Sequence, residues 1–586
     1  MTILWLLAPC LSAALRSCLV HPPGDEPSED SVVVVYDLRP VLPSFDQEGT
    51  WSQALVPALA DPGHENLPFV SLQELHRGEA PDSITNLVTE ALGEDLHYEG
   101  RGIQIERGDQ MVVAAPPAVQ AKVRAILDAL QAAFSAGTTV ELDWFVMSDG
   151  AMPIDRCVLT LDEAKRFVDA AMARGSSHLH QTLRLAPGRT VALERARFIP
   201  LLADYDVEIA QGSFIYDPVI YEIRDGFRGF LRGTSVPGGT ALSLLWLQED
   251  LVNEVRERPI VLKGAVGREQ RGGLDLIEGP QSMQTADVMT HALAFDTFLP
   301  DGKALVAFSD VDVKGTTFRQ VLVLRRGAGA QSSFTKVPLS NGGRTLVILD
   351  GEAFGAPRFS ISTGDALYEA EWPHPFVVAE LHSEASSFLQ DQLGRLNQWW
   401  TVGPWVLVLT DPSWDGPAAA ELERLAGAIR PVTDLVELAV ELQSPTGSSL
   451  ARWRLPTLSG RSVGAVVGVT GLAVQDYDVE VAQYSAVADP KIRPTFQGLC
   501  LGAEVARSPG NSGWVLRAQG VASFLAGTVP TIGPQGPFIG ALELPRVERL
   551  SIDEHAIVPA ASPESVVRIG PEGGEGKGLA VTLRIR

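Results

Sequence analysis

The stretch DYDVEIAQ at residues 204–211 returns as DYDVEVAQ at residues 476–483, 272 positions later and with one Ile-to-Val change. The register holds beyond both stretches. GRTV at 188–191 matches GRSV at 460–463, and Gly226 matches Gly498. One fixed offset over so long a segment predicts an internal duplication.

The repeated stretch has the alternation of a half-buried strand, with acidic residues on one face and apolar residues on the other. Three carboxylates in that spacing could bind Ca²⁺, which takes many oxygen ligands. A solvated sheet face explains the same pattern, and we prefer this structural interpretation. The repeat positions assigned to a structural strand and turn are Asp204, Tyr205, Asp206, Glu208, Gln211, Asp217 and Pro218, then Asp476, Tyr477, Asp478, Glu480, Gln483, Asp489 and Pro490.

Length and charge limit the function classes. The 586 residues predict about four domains at ~150 residues each, and 45% hydrophobic residues suffice for several cores. A net charge of −25 argues against binding to phosphate backbones. We therefore expect no nucleic-acid partner.

The N-terminus predicts export. About a dozen apolar residues run from Ile3 to Leu15, followed by the polar stretch HPPGDEPSEDS. This run is shorter than the roughly 20 residues of a membrane-spanning helix and is typical of a secretory signal, although no Lys or Arg precedes it. We expect a signal segment at 1–20, a linker at 21–30 and no transmembrane helix in the mature chain. LRSC at 15–18 leaves lipidation at Cys18 as an alternative.

The cysteines give no metal-binding spacing and no disulfide framework. Apart from Cys10 and Cys18, the chain holds only Cys157 and Cys500. Two buried free thiols are the preferred interpretation, and a bridge between them stays open.

Apolar spacing predicts an α+β fold built as a tandem duplication. Residues 31–136 form a small β-α-β-β-α module, with helices inside PDSITNLVTEALGE and from Pro117 onward. Residues 137–352 form a β-rich module with one helix, whose capping box runs from Thr160 to Glu163. Residues 353–430 repeat the α+β module in degenerate form, and residues 431–586 form the second β-rich module without the capped helix.

These features together resemble the secretins, the ring-forming outer-membrane components of bacterial secretion and pilus systems. The resemblance rests on the β-α-β-β-α module, on YDVEIAQ followed by Asp-Pro, and on the turns in FLPDGKALVAF (298–308) and VPLSNGGRTLVILDG (337–351). Residues 31–136 resemble a secretin N-domain, and the β-rich modules resemble the secretin core. The chain departs from the family in lacking its gate segment, in having two cores, and in showing no clean pair of long amphipathic hairpins.

The resemblance implies a non-catalytic protein of a bacterial cell envelope, in the periplasm or at the outer membrane. It would act by protein–protein assembly or within a secretion or transport apparatus. Its partners would be other envelope or secretion proteins or a second copy of itself, with association to the outer membrane. No cofactor and no bound metal are expected.

Two further function classes stay open. The chain has no G-x-S-x-G, H-E-x-x-H or Walker A motif, so an exported hydrolase would need an unrecognised site. His178 and His180 would share one strand face, but no third metal ligand is evident nearby. A carbohydrate-binding envelope protein could use Trp399, Trp400 and Trp405, although burial of this cluster is the preferred interpretation.

Overall fold

The computed structural model of the chain consists mostly of antiparallel strands. The residues it describes are 31–41, 80–96, 101–106, 109–135, 137–148, 154–174, 177–185, 190–210, 213–236, 238–267, 274–327, 334–338, 345–350, 358–363, 366–371, 399–402, 405–410, 435–482, 485–507, 513–526, 531–532, 542–561, 564–570 and 578–586. The predicted signal segment and linker lie outside the described residues, as do Gln211 and Gln483.

The N-terminal elements occur in the predicted order. They are β1 (Val32–Asp37), α1 (Ala80–Leu92), β2 (Gly102–Glu106), β3 (Gln110–Ala115) and α2 (Pro117–Ser135). The three strands pair in the order β1-β3-β2, and the apolar stripes of both helices are buried against them. Buried Gln120 on α2 ties this module together, because its side-chain amide donates to the Val32 and Val113 carbonyls at 2.8 and 2.9 Å.

The next part of the chain supplies what we call unit 1. Its elements are β4 (Thr138–Ser148), β5 (Val158–Thr160), α3 (Leu161–Ala173), β6 (Ser177–Leu185), β7 (Thr190–Ala210), β8 (Ser213–Val236), β9 (Gly239–Leu251), β10 (Arg256–Gly267), β11 (Leu274–Thr285), β12 (Val288–Pro300), β13 (Lys303–Val313) and β14 (Thr316–Arg326). The capping box predicted for α3 is confirmed, with Thr160 and Glu163 bonded reciprocally.

A second set of strands, unit 2, lies at the C-terminal end. It contains β21 (Leu435–Gln443), β22 (Ser449–Leu458), β23 (Ser462–Ala482), β24 (Ser485–Arg507), β25 (Gly513–Leu525), β26 (Thr531–Ile532), β27 (Leu542–Glu543), β28 (Val547–Pro559), β29 (Ser565–Ile569) and β30 (Ala580–Ile585). Between the units lie β15 (Phe334–Pro338), β16 (Thr345–Asp350), β17 (Arg358–Thr363), β18 (Ala366–Glu371), β19 (Trp399–Val402) and β20 (Trp405–Thr410).

Strands β15 and β16 fall within the range predicted as the first β-rich module, but they join a different sheet. They pair in the order β15-β16-β20-β19, separate from the strands of unit 1. Leu346 and Ile348 on β16 share the buried core of the N-terminal helices. Their apolar side chains therefore complete the α+β core and not the core of unit 1.

The two units build one two-layer sandwich. A nine-stranded sheet has the order β29-β30-β21-β22-β13-β14-β4-β6, with β5 beside β13. A ten-stranded sheet runs β28-β25-β24-β23-β12-β9-β8-β7, and the β10–β11 hairpin joins it at the far end of β24. Both sheets contribute to one apolar core, which encloses Trp246 and Trp453. Burying each large apolar side chain there contributes about 1.5–3 kcal/mol.

Unit 2 repeats the strand pattern of unit 1. β23 and β24 begin 272 residues after β7 and β8, at the offset of the sequence repeat. The ladders correspond as well, since β8–β9 and β9–β12 in unit 1 match β24–β25 and β25–β28 in unit 2. The short hairpin β26–β27 takes the place of the longer β10–β11.

The structure contains the pair of long hairpins that the sequence did not show clearly. The four strands of β7–β8 and β23–β24 are 21 to 24 residues long. Each hairpin has one register shift, at Leu202/Asp204 and at Val474/Asp476. A bulge reverses the side-chain alternation and so interrupts the period-two pattern along each strand.

Two corresponding glycines generate the first prediction. Gly226 and Gly498 have φ of +146° and +150°, and a Cβ at either would lie 2.2 Å from the carbonyl oxygen of the facing strand. We expect Gly226→Ala and Gly498→Ala each to lower the free energy of unfolding by about 3 kcal/mol. The backbone of the facing strand would have to move away, and alanine would have to keep a φ that is strained for a residue with a Cβ.

Urea unfolding followed by tryptophan fluorescence measures this effect. Gly102→Ala is the matched control, because no atom lies within 4 Å of its added Cβ. Equal stability of Gly226→Ala and wild type would contradict the close approach of β7 and β8.

Candidate functional site

The candidate functional site is the junction where the two units join edge to edge. In the nine-stranded sheet, β22 of unit 2 pairs with β13 of unit 1. In the ten-stranded sheet, β23 pairs with β12 from Val288↔Thr470 to Phe295↔Val463. Both layers thus cross from one unit to the other through main-chain ladders, which makes the junction a site of assembly within the chain.

A buried carboxylate connects the two units across this junction. Asp310 on β13 lies opposite Arg319 on β14 and Arg452 on β22. Arg319 donates to Asp310 through Nε at 2.5 Å and Nη2 at 2.7 Å, and Arg452 donates from Nε to the same carboxylate. The Arg319 guanidinium also lies 4.7 Å from the centroid of the Phe308 ring. Charge-assisted bonds of this kind are strong where water is excluded.

A second buried polar group lies next to Asp310. His291 on β12 contacts the Ser309 hydroxyl through Nδ1 at 2.8 Å, and both residues are almost fully buried. Burial lowers the pKa of His291 to about 4, although the negative charge of Asp310 acts in the opposite direction. A Ser–His pair can support nucleophilic catalysis, but a substrate cannot reach one enclosed between two sheets. We therefore interpret it as part of the packed core.

The two histidines noted in the sequence do share one face, on the edge strand β6. His178 Nε2 and His180 Nδ1 both lie 2.9 Å from Oδ1 of buried Asp143, and Arg325 donates to Oδ2 of the same carboxylate. No group of three or more His, Cys, Asp or Glu residues that could hold a metal ion occurs within the described part of the chain. Asp143 comes from β4, so its proximity depends on the β4–β6 pairing.

The repeated motif forms the outer parts of the long hairpins. Asp206 lies opposite Asp217 and Tyr205 opposite Pro218, and the second copy repeats these pairs as Asp478↔Asp489 and Tyr477↔Pro490. The remaining described members lie in the same four strands; they are Asp204, Glu208, Asp476 and Glu480.

Tyr205 attaches the first hairpin to the strand β11. It is buried, and its hydroxyl donates to the carbonyl of Ser282 at 3.3 Å. Leu202 donates its backbone N–H to the Gln284 side chain at 3.1 Å. Leu202 and Tyr205 therefore stabilise the contact of the β7–β8 hairpin with the β10–β11 hairpin.

The three tryptophans of the predicted aromatic cluster lie on two neighbouring strands. Trp399 and Trp400 belong to β19, and Trp405 begins β20. In the ladder, Trp399 pairs with Val408 and Trp405 pairs with Val402. Their role in glycan or partner binding stays a prediction.

The two remaining cysteines occur as buried free thiols. Burial raises the pKa of Cys157 well above its usual value, and it raises the pKa of Cys500 to about 12. Both thiols therefore keep their protons at neutral pH.

Comparison with known proteins gives only distant similarity. No family model matches the chain, and no curated protein matches it. Among solved structures, the InvG secretin domain beta-barrel from the Salmonella SPI-1 injectisome is 10% identical at a TM-score of 0.20, covering 63% of this chain and 94% of that one. The E. coli K12 type II secretion system secretin GspD is 9% identical at a TM-score of 0.17, covering 54% and 66%. At these TM-scores the likeness establishes no role for this chain.

Among the described residues, no helix is long and apolar enough to cross a membrane.

The shared carboxylate of the junction yields a stability prediction. Asp310→Asn should lower the free energy of unfolding by about 3–5 kcal/mol, because it removes the buried negative charge that the Arg319 and Arg452 side chains share. Asp312→Asn is the matched control, since Asp312 lies two residues along the same strand and accepts a hydrogen bond from the turn N–H of Gly315 at 3.0 Å. Urea unfolding compares the two, and equal losses would contradict a special role for Asp310.

The buried histidine yields a pH prediction. The folded pKa of His291, about 4, lies below its ordinary value of 6.5, so protons bind preferentially to the unfolded chain between these values. Stability should therefore fall as the pH drops from 6.5 to 4, by about 3 kcal/mol from this residue alone.

The non-titrating variant His291→Gln isolates this contribution. The difference in unfolding free energy between wild type and variant should shrink by that amount between pH 7 and pH 4. A difference independent of pH would show that His291 is not held neutral in the core.

Proposed function

We propose that this chain is a non-catalytic protein of a bacterial cell envelope that works by self-assembly within a secretion or transport apparatus. In this proposal it is exported to the periplasm or the outer-membrane face. Its α+β and β-rich modules are a tandem duplication of a secretin-like plan. Assembly is carried by the two long hairpins and by the sheet edges.

The single observation that carries this proposal is that both hairpins extend beyond the sandwich. β8 is laddered to β9 only from Gly226 onward, and β24 to β25 only from Gly498 onward. We call residues 197–225 ribbon 1 and residues 471–497 ribbon 2. At roughly 3.4 Å per residue, each extends about 45 Å. Within the described part of the chain, a third strand is laddered to ribbon 2 only at 485–487, through β10.

Two-stranded ribbons of this length need further neighbours. An isolated two-stranded hairpin is at best marginally stable in water, and its outer backbone groups can pair with another chain. Ribbon 1 lies close to β11 and β24 without a ladder to either. The two corresponding ribbons therefore still offer unladdered backbone edges as surfaces for assembly. Such a use requires no catalytic residues, which agrees with a structural role for the repeated acidic motif.

The pairing of the smaller sheets supports the proposed duplication of the α+β module. The order β16-β20-β19 has the same form as β1-β3-β2 in the N-terminal module. The helices predicted between and after these strands, within 353–430, lie outside the described residues.

Native mass and ribbon length together test the proposal. The full chain, measured by size exclusion with light scattering with and without detergent, should form multiples of its 62.8 kDa mass. In the variant, an Asn-Gly turn replaces residues 205–218 and another replaces residues 477–490. These turns join Asp204 to Val219 and Asp476 to Lys491, which are already cross-strand partners.

We expect the shortened variant to need at least tenfold more protein to reach the same oligomer fraction. Unchanged near-UV circular dichroism from the buried tryptophans would show that its sandwich remains folded. A wild-type chain that stays monomeric in both conditions would overturn self-assembly. Identical oligomerisation of the two chains would overturn the role of the ribbons.

A further inference from the structure

The two units meet through corresponding edge strands in both sheets. In each layer, unit 2 contributes an early strand (β22 or β23) and unit 1 contributes a late strand (β13 or β12). The contact is therefore head to tail, because the two units use different edges. A head-to-tail contact leaves one unused edge of each kind at the two ends of the pair.

Among the described strands, the edges at the ends of the sandwich carry no further ladder, although β11, β23 and β24 lie close to β7. One end carries β6 and β7, which occupy in unit 1 the places that β22 and β23 occupy in unit 2. The other end carries β28 and β29, which correspond to β12 and β13. The hairpin β17–β18 lies close to β28, but no ladder joins them, and among the described strands β25 is the only ladder partner of β28.

We propose that the occupant of these edges is a second copy of this chain, docked head to tail so that β7 of one copy pairs antiparallel with β28 of the next. This inference rests on the proposed self-assembly and specifies its contact. The internal junction supports this contact, because the same two kinds of edge already form a ladder inside the chain. β6 of the first copy would then lie beside β29 of the next, as β22 lies beside β13.

The internal junction also fixes the register of the new ladder. β7 corresponds to β23 with an offset of 272, and β28 corresponds to β12 with an offset of 259, which the β9–β12 and β25–β28 ladders determine. Transferring the β12–β23 pairs by these offsets places Phe198 opposite Val547 at one end. It places Val191 opposite Glu554 at the other.

Side-chain direction agrees with that register. The transferred register places Ile552 opposite Leu193. Residues directly opposite each other in an antiparallel pair point to the same face. Ile552 belongs to the sandwich core and Leu193 packs against that core, so both point inward. A shift by one residue would direct one of them to the outer face.

The charges of facing side chains also agree with this register. The register sets Glu548 opposite Arg197, whose side chain is 71% exposed and contacts Asp225 at 2.6 Å. Arg197 and Glu548 are therefore of opposite charge, and by alternation they lie on the same face as Leu193 and Ile552. The ladder would also cover Phe198, which is 49% exposed beside the same edge.

Cysteine cross-linking tests the contact and its register. In a full-length background with Cys10→Ser and Cys18→Ser, one chain carries Arg197→Cys and a second carries Glu548→Cys. Directly opposite residues have Cα atoms about 4.5–5.5 Å apart, which suits a disulfide. Under mild oxidation, the mixture should give covalent heterodimers, and a chain carrying both cysteines should give a ladder of covalent multimers.

The register control pairs Arg197→Cys with Asp553→Cys, five positions away and about 17 Å out of reach. We expect its cross-linked fraction to be at least tenfold lower. Equal cross-linking of the two pairs, or none from the matched pair in a chain that oligomerises, would overturn the inference while self-assembly stands.

Two other outcomes would contradict the head-to-tail contact on different grounds. Homodimers from either single-cysteine chain alone would show that like edges meet, which contradicts a head-to-tail contact. A wild-type chain that remains monomeric would overturn the proposed function together with this inference.

Discussion

The structure depends on main-chain hydrogen bonding across the junction of the two units. Backbone N–H and C=O groups in a buried layer must be paired, and here both layers of the sandwich satisfy that requirement by continuing from β13 into β22 and from β12 into β23. The Asp310 carboxylate adds a directional contact, because it binds one arginine from each unit. The two units therefore share one core, and neither could be removed without exposing it.

Local patterns in the sequence predicted much of the secondary structure. Apolar spacing placed α1 and α2, and the Thr160–Glu163 capping box placed the start of α3. The repeat at residues 204 and 476 identified corresponding strands, because a strand's alternation and its turn residues are written locally. The full length of the long hairpins was less evident, since each contains a bulge that reverses the alternation.

The candidate site was beyond such prediction because its contacts join distant strands. Asp310 and Arg452 are 142 residues apart, and only the β13–β22 ladder brings them together. The sequence offered one signal, an acidic residue inside the apolar run ALVAFSDVDV, but an exposed strand end would show the same pattern. His178 and His180 were noticed, whereas their shared partner Asp143 depends on the pairing of β4 with β6.

The differences between the units affect how other molecules would meet an assembly of this chain. Unit 1 carries α3 and the hairpin β10–β11, whereas five residues link β21 to β22 and a short hairpin replaces β10–β11 in unit 2. A closed assembly would hold an even number of units and alternate between two surface types. A protein that recognises α3 would then find at most one site per two units. It would therefore bind with a stoichiometry of one per chain.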